Sequence, residues 1–118
     1  MSPRDWRLRI DDILSAIDKI GRYTSDMSGE SLAADEKTLD AVLFDVAVIG
    51  EAARNVPEDV VARSPQIPWA AMRDMRNIVV HEYFGILIET LWTTVTDDLP
   101  PLRRQLATLL ESEDEGEA

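Results

Sequence analysis

The chain contains no cysteine. Disulfides and thiolate metal sites are therefore excluded, and the composition suits a reducing, cytoplasmic setting. Long apolar runs are also missing. Nothing approaches the roughly 18 residues of a membrane-spanning helix, so no membrane association is expected. Arg4, Arg7 and Arg9 near the N-terminus are interrupted by Asp5, Asp11 and Asp12 with no apolar segment behind them, so no signal peptide is read there. Basic charge is scarce, with 12 basic against 23 acidic residues and a net charge of -11. This argues against a broad electrostatic nucleic-acid surface but leaves room for a small basic pocket in an acidic shell. The chain also lacks a glycine-rich phosphate loop and a nucleophile elbow. The adjacent carboxylates Asp11 and Asp12, and Asp97 and Asp98, diverge on a helix and make poor metal pairs. Neither a metal site nor a cofactor is expected.

What is present is helical periodicity. A length of 118 residues with 45% apolar content fits one domain with a modest core. Small helical chains of this kind often hide remaining apolar surface by pairing with a copy of themselves. Ser2 can cap a first helix and Pro3 can open it. Trp6, Ile10, Ile13, Leu14, Ile17 and Ile20 recur at three- and four-residue steps to about Tyr23, with Ser25 to Ala34 as a loop holding one turn of helix. A second helix is expected from Glu36 to Asn55, with Gly50 and its neighbouring alanines letting another helix approach closely. Pro57 opens a short third helix. The prolines at 65 and 68 enforce a break, and Pro68 starts a helix to about Phe84. A fifth helix runs from Leu87 to Asp98, after which Pro100 and Pro101 kink or restart the chain before Leu102, Leu106, Leu109 and Leu110. The expected fold is all-α, an antiparallel bundle of four to five helices over residues 1–110. Residues 111–118, rich in Glu and Asp, are expected to form a disordered acidic tail. The tryptophans Trp6, Trp69 and Trp92 read as packing anchors.

The chemistry concentrates in the run Arg73 to Phe84, which holds the lone histidine, His81. Arginine can hold a phosphate, and histidine can move a proton near neutral pH. At 100° per residue, Met72, Met75 and Val79 form one apolar stripe. The polar groups Arg73, Arg76, Asn77 and His81 share the other face, and Asn77 and His81 are i,i+4 neighbours. Arg76 and His81 lie about 140° apart on an ideal helix. Either the helix distorts near Gly85, or a second subunit supplies the other half of the site; the geometry favours the two-fold arrangement.

A longer pattern surrounds this element. It comprises Ile49-Gly50-Glu51-Ala52-Ala53-Arg54, Ile67-Pro68-Trp69, Met75 through Gly85, Leu91-Trp92 and Asp98-Leu99-Pro100. Over nearly the whole chain, from Arg7 to about Leu110, this resembles the HEPN-domain family, and within it the HepT-like toxin branch. The specific element is Arg-x4-His-x-Tyr at Arg76, His81 and Tyr83. The resemblance implies a homodimeric all-α bundle with a catalytic cleft at the dimer interface. It implies a metal-independent ribonuclease, the toxin of a type VII-like toxin–antitoxin pair, acting on RNA, with tRNA as a candidate substrate. Its expected partner is a minimal nucleotidyltransferase antitoxin that transfers AMP to Tyr83 and so inactivates the toxin.

On that reading His81 acts as general base or acid. Arg76 neutralises charge building on the phosphorane. Asn77 orients His81 or donates to the phosphate, and Arg73 adds phosphate affinity. AMP on Tyr83 would bring bulk and negative charge beside Arg76 and His81. A rival reading is a non-catalytic dimeric helical scaffold that binds a nucleotidyltransferase. A third, a small-nucleotide-binding bundle, finds no phosphate cradle beyond Arg76.

Overall fold

The computed structural model describes the backbone of residues 3–82 and 88–117 and the side chains of residues 6–77 and 88–112. Ser2, expected as a cap, lies outside the described residues. Four long helices dominate: α1 (Pro3–Tyr23), α3 (Glu36–Arg54), α5 (Trp69–Glu82) and α7 (Leu99–Glu117). Three six-residue helices join them: α2 (Gly29–Ala34), α4 (Glu58–Arg63) and α6 (Ile88–Thr93). Among the described residues there is no strand. The all-α expectation therefore holds, and the count exceeds four to five because short helices fill the connections.

The core forms from one stripe of each long helix. Ile10, Ile13, Ile17 and Ile20 of α1 meet Val42, Val46, Ile49 and Ala53 of α3. Met72 and Met75 of α5 join from the other side of α3, and Leu102, Leu106 and Leu109 of α7 close the bundle. Each of these side chains is buried. At roughly 1.5–3 kcal/mol for a large aliphatic chain, this burial is the main favourable contribution to folding. The expected core member Val79 has a side chain outside the described residues.

Local signals set the helix ends. Thr24 at the end of α1 turns its hydroxyl back to the Ile20 carbonyl at 2.8 Å. Ser28 and Ser31 form a reciprocal capping box that starts α2, and Asp35 caps α3 through the Thr38 N–H at 3.1 Å. The proline break before α5 is pinned by Trp69, whose indole N–H donates to the Ser64 carbonyl at 2.9 Å while its ring is buried. Trp69 thus anchors the start of the motif helix, which satisfies its one polar atom.

At Pro100 and Pro101 the chain restarts rather than kinks. Neither proline can donate to the carbonyls four residues back. The backbone widens instead into a π-helical turn (Thr94–Asp98), where the Leu99 N–H reaches the Thr94 carbonyl. Thr94 and Thr96 return their hydroxyls to the Thr90 and Trp92 carbonyls. Both prolines then sit in the first turn of α7, where missing donors cost little. The backbone of α7 is helical from Leu99 to Glu117. Glutamate is a good helix former, and the packed turn at Leu106 and Leu109 supplies the nucleus that an isolated segment would lack.

Candidate functional site on α5

Helix α5 is continuous from Trp69 to Glu82. Met72 and Met75 are buried, which fixes its rotation about its own axis. With that face inward, Arg73, Arg76 and Asn77 come to the outer side, where Asn77 is exposed. The position of His81 belongs to this same helix, one turn beyond Asn77; its side chain lies outside the described residues. Tyr83, the expected AMP acceptor, lies outside them altogether.

Helices α3 and α5 run antiparallel, since Gly50 of α3 faces Arg76 and Ala53 faces Arg73. The crossing is very close. A Cβ at position 50 would lie 2.7 Å from the Arg76 backbone nitrogen and 3.1 Å from the Arg76 Cβ. Glycine is required here by the neighbouring backbone, and the expectation of a close helix approach at Gly50 is realised at the motif arginine itself.

The next residue along α3 then reaches the arginine side chain. A carboxylate oxygen of Glu51 lies 3.4 Å from Nη1 of Arg76, with the two side chains 61% and 50% exposed. Arg76 is thus accessible to a ligand while held from one side. Helical spacing alone does not mark Glu51 as a site residue. The available signal was its place directly after the glycine of the Ile49 to Arg54 run.

Arg73 behaves differently. Its Nη2 donates to a Glu58 carboxylate oxygen at 3.2 Å, and its Nε points at the Ala53 carbonyl at 3.5 Å. It is 29% exposed, less than Arg76. These contacts tie the C-terminal turn of α3 and the first turn of α4 to the motif helix. Arg73 and Arg76 therefore each face one glutamate from a neighbouring element, and the basic ridge of α5 is set in acidic surroundings. Among the described residues, no group of three His, Cys, Asp or Glu side chains converges as a metal site.

A second feature of α3 bears on the site. Phe44 is 67% exposed, and Phe44, Val48 and Glu51 follow one another at four- and three-residue steps along one stripe of the helix. Phe44 is thus a single exposed aromatic two turns before Glu51, with Val48 between them half-buried against the core. Among the described residues no helix is long and apolar enough to cross a membrane.

Comparison with known proteins places the chain in a family. The Ribonuclease HepT-like family profile matches residues 13–109. A protein of Methanocaldococcus jannaschii provisionally named an RNase is 36% identical over 98% of each chain. A protein of Thermococcus cleftensis provisionally named ribonuclease HepT is 38% identical over 85% of this chain and 91% of its own. A third, from Caldanaerobacter subterraneus subsp. tengcongensis and also provisionally named an RNase, is 27% identical over 95% and 97%. No solved structure matches the chain significantly. With the match extending from the middle of α1 to the last buried turn of α7, the chain belongs to the HepT-like ribonuclease family of HEPN-type helical proteins.

Proposed function

We propose that the protein is a metal-independent ribonuclease, the toxin of a type VII-like toxin–antitoxin pair, with Arg76 and His81 as its catalytic groups. The observation that carries this reading is an accessible arginine on a rigid, core-anchored helix, in a chain of a ribonuclease family, with the lone histidine five residues further along. The neutral imidazole of His81 takes the proton of a ribose 2'-hydroxyl, and the freed oxygen attacks the adjacent phosphorus. Arg76 donates to the non-bridging oxygens as charge accumulates on them. The 5'-oxygen leaves with a proton from a protonated histidine, so the products are a 2',3'-cyclic phosphate and a 5'-hydroxyl. Asn77, exposed one turn before His81, orients the imidazole or the phosphate. Arg73 adds positive potential nearby while bracing α3 and α4.

The two proton-transfer roles call for two histidines, and each chain has one. Positions 76 and 81 are also about 140° apart on a continuous α-helix. Both points support a homodimer in which one copy's Arg76 works beside the other's His81. Phe44, 67% exposed on α3 two turns before Glu51, is the side chain on this helix that a second copy would gain most by covering. The partner on this reading is a minimal nucleotidyltransferase that transfers AMP to Tyr83. The added phosphate repels RNA and its bulk fills the cleft.

The test is cleavage of total RNA and tRNA by purified protein in EDTA. We expect wild type to cut and His81→Ala and Arg76→Ala to lose at least about a hundredfold in rate. Failure of wild type to cut, with Tyr83 verified as unmodified by mass spectrometry, favours the scaffold reading. Light scattering tests the dimer: Phe44→Glu is expected to yield a monomer, and a wild-type monomer at micromolar concentration refutes the two-fold site.

A further inference from the structure

We propose that Glu51 is a positioning residue for the motif arginine, holding the Arg76 guanidinium at the angle from which it meets a phosphate. The inference rests on the ribonuclease reading above and adds to it a residue on another helix. Three observations combine. First, Gly50 brings the α3 backbone to within contact of the Arg76 backbone, where a Cβ would come to 2.7 Å from its nitrogen. The two helices are therefore in register at this point, and Glu51 and Arg76 extend from neighbouring, fixed origins. Second, the carboxylate of Glu51 lies 3.4 Å from Nη1. Third, Arg76 remains 50% exposed with that partner in place.

An exposed ion pair between two long, freely rotating side chains contributes little to stability. Here the stability is not the point. A guanidinium has five donors in a fixed plane. A carboxylate on Nη1 uses one corner and leaves the Nε and Nη2 side free for a phosphate oxygen. It also removes rotamers in which Arg76 would turn away along the helix, so less freedom remains to be lost as the guanidinium closes on the charge that builds in the transition state. The acidic surroundings make this restraint more useful. Glu58 lies on the neighbouring element beside Arg73, one alternative carboxylate toward which an unrestrained arginine could turn. Arg73, three residues earlier, is already engaged by Glu58. Arg76 is thus the cation of this ridge left accessible, and Glu51 sets its direction.

A competing role for the same carboxylate is that of an inhibitor that occupies Arg76 until RNA displaces it. Kinetics separate the two. Positioning acts on the transition state, so losing Glu51 lowers kcat and leaves KM nearly unchanged. Competition acts on the ground state, so losing Glu51 lowers KM and leaves kcat unchanged.

The experiment compares Glu51→Ala and Glu51→Gln with wild type and His81→Ala on one RNA substrate, full chain throughout, together with 15N NMR of the arginine side chains. For positioning, Glu51→Ala lowers kcat about ten- to a hundredfold with KM within about twofold. Glu51→Gln, which retains an acceptor oxygen, recovers part of the loss. The Nη resonances of Arg76 show hindered rotation in wild type and free rotation in Glu51→Ala. A kcat of Glu51→Ala within about twofold of wild type, or freely rotating Arg76 Nη groups in wild type, overturns the proposal while the ribonuclease reading stands. Wild type that cuts no better than His81→Ala overturns the ribonuclease reading, and the role of Glu51 falls with it.

Discussion

Replacing Gly50 with alanine sets two well-measured effects against each other. In the middle of a helix, glycine to alanine gains about 1 kcal/mol through backbone entropy. In this fold the new methyl carbon would sit 2.7 Å from the Arg76 nitrogen, 3.1 Å from its Cβ and 3.3 Å from its Cα. Ordinary contact begins near 3.4 Å, so the nearest pair is about 0.7 Å too close. The obstructing atoms are mostly backbone, and no rotamer change can move them. Helices α3 and α5 must separate, which disturbs Ile49, Ala53, Met72 and Met75 at their shared core. Overpacking of this kind costs about 1–3 kcal/mol, more than the propensity gain at most of that range. The expected net effect is a loss of about 1 kcal/mol, or roughly 3–6 °C in Tm for a domain of this size. The effect on cleavage is larger, because a displacement approaching 1 Å at the arginine costs up to about a hundredfold in rate. Urea denaturation and RNA cleavage on the same preparation measure both. A Gly50→Ala protein more stable than wild type by about 1 kcal/mol, the full propensity gain, with unchanged cleavage, refutes the close crossing of α3 and α5.

The two arginines of the ridge are expected to separate stability from activity. Arg73→Met loses the ties to Glu58 and the Ala53 carbonyl and costs about 1 kcal/mol in urea denaturation, while Arg76→Met leaves stability within about 0.5 kcal/mol and abolishes cleavage. Asp45 is buried on α3; burial raises its carboxyl above the ordinary 3.8, with Lys19 and Arg22 partly offsetting this. The folded state therefore prefers the protonated acid, and the stabilising effect of this preference is present below the ordinary value and lost as pH rises through the raised one. Asp45→Asn is expected to be more stable than wild type at pH 7, with the advantage shrinking as denaturation is repeated toward pH 3. Asp18 runs the opposite way. Its hydrogen bond from Arg103, 2.6 Å from Nε and 3.1 Å from Nη2, holds its carboxyl below 3.8. The link between α1 and α7 stabilises above the ordinary carboxylate value and is lost as pH falls through the lowered one, so Asp18→Asn is expected to differ from wild type at pH 7 in low salt and to match it at pH 2.

Much of this architecture is legible in the amino-acid order because helices announce themselves by local spacing. The isoleucines of α1 and the leucines of α7 follow a single period, and both stripes are buried except for Leu110, which is half-buried. The two prolines before Trp69 cannot lie inside a helix, and the break there follows. Gly50 in a run of alanines indicated close packing without naming its neighbour. What the spacing leaves open is tertiary pairing. Glu51 and Arg76 are separated by 24 intervening positions and belong to different helices, so no periodicity links them. Arg73 reads as well as a phosphate ligand as it does as a brace, until Glu58 is found beside it. The π-helical turn at Thr94–Asp98 depends on which carbonyl accepts a backbone donor after proline interrupts the ladder, and a pattern of side chains does not encode that choice.

The arrangement also resolves an apparent conflict between charge and function. A net charge of -11 repels RNA at long range, and at physiological salt that repulsion fades beyond roughly 8 Å. A ribonuclease built on such a chain cannot rely on a broad basic field to gather its substrate. It depends on short-range contacts from a few cations held in fixed directions. The structure supplies the means for one of them: the core fixes the rotation of α5, Gly50 sets its distance from α3, and Glu51 faces the arginine that is left open. Association is then expected to be slow and strongly salt-responsive in an unusual sense. Moderate salt, by screening the acidic shell more than the short contacts, should raise kcat/KM before higher salt lowers it. A bell-shaped dependence of kcat/KM on KCl between about 10 and 500 mM, judged against the Debye lengths of about 30 and under 10 Å at those limits, is the expected result. A monotonic fall from the lowest salt would mean that a basic surface dominates RNA capture, one that neither the composition nor the described side chains of this chain provide.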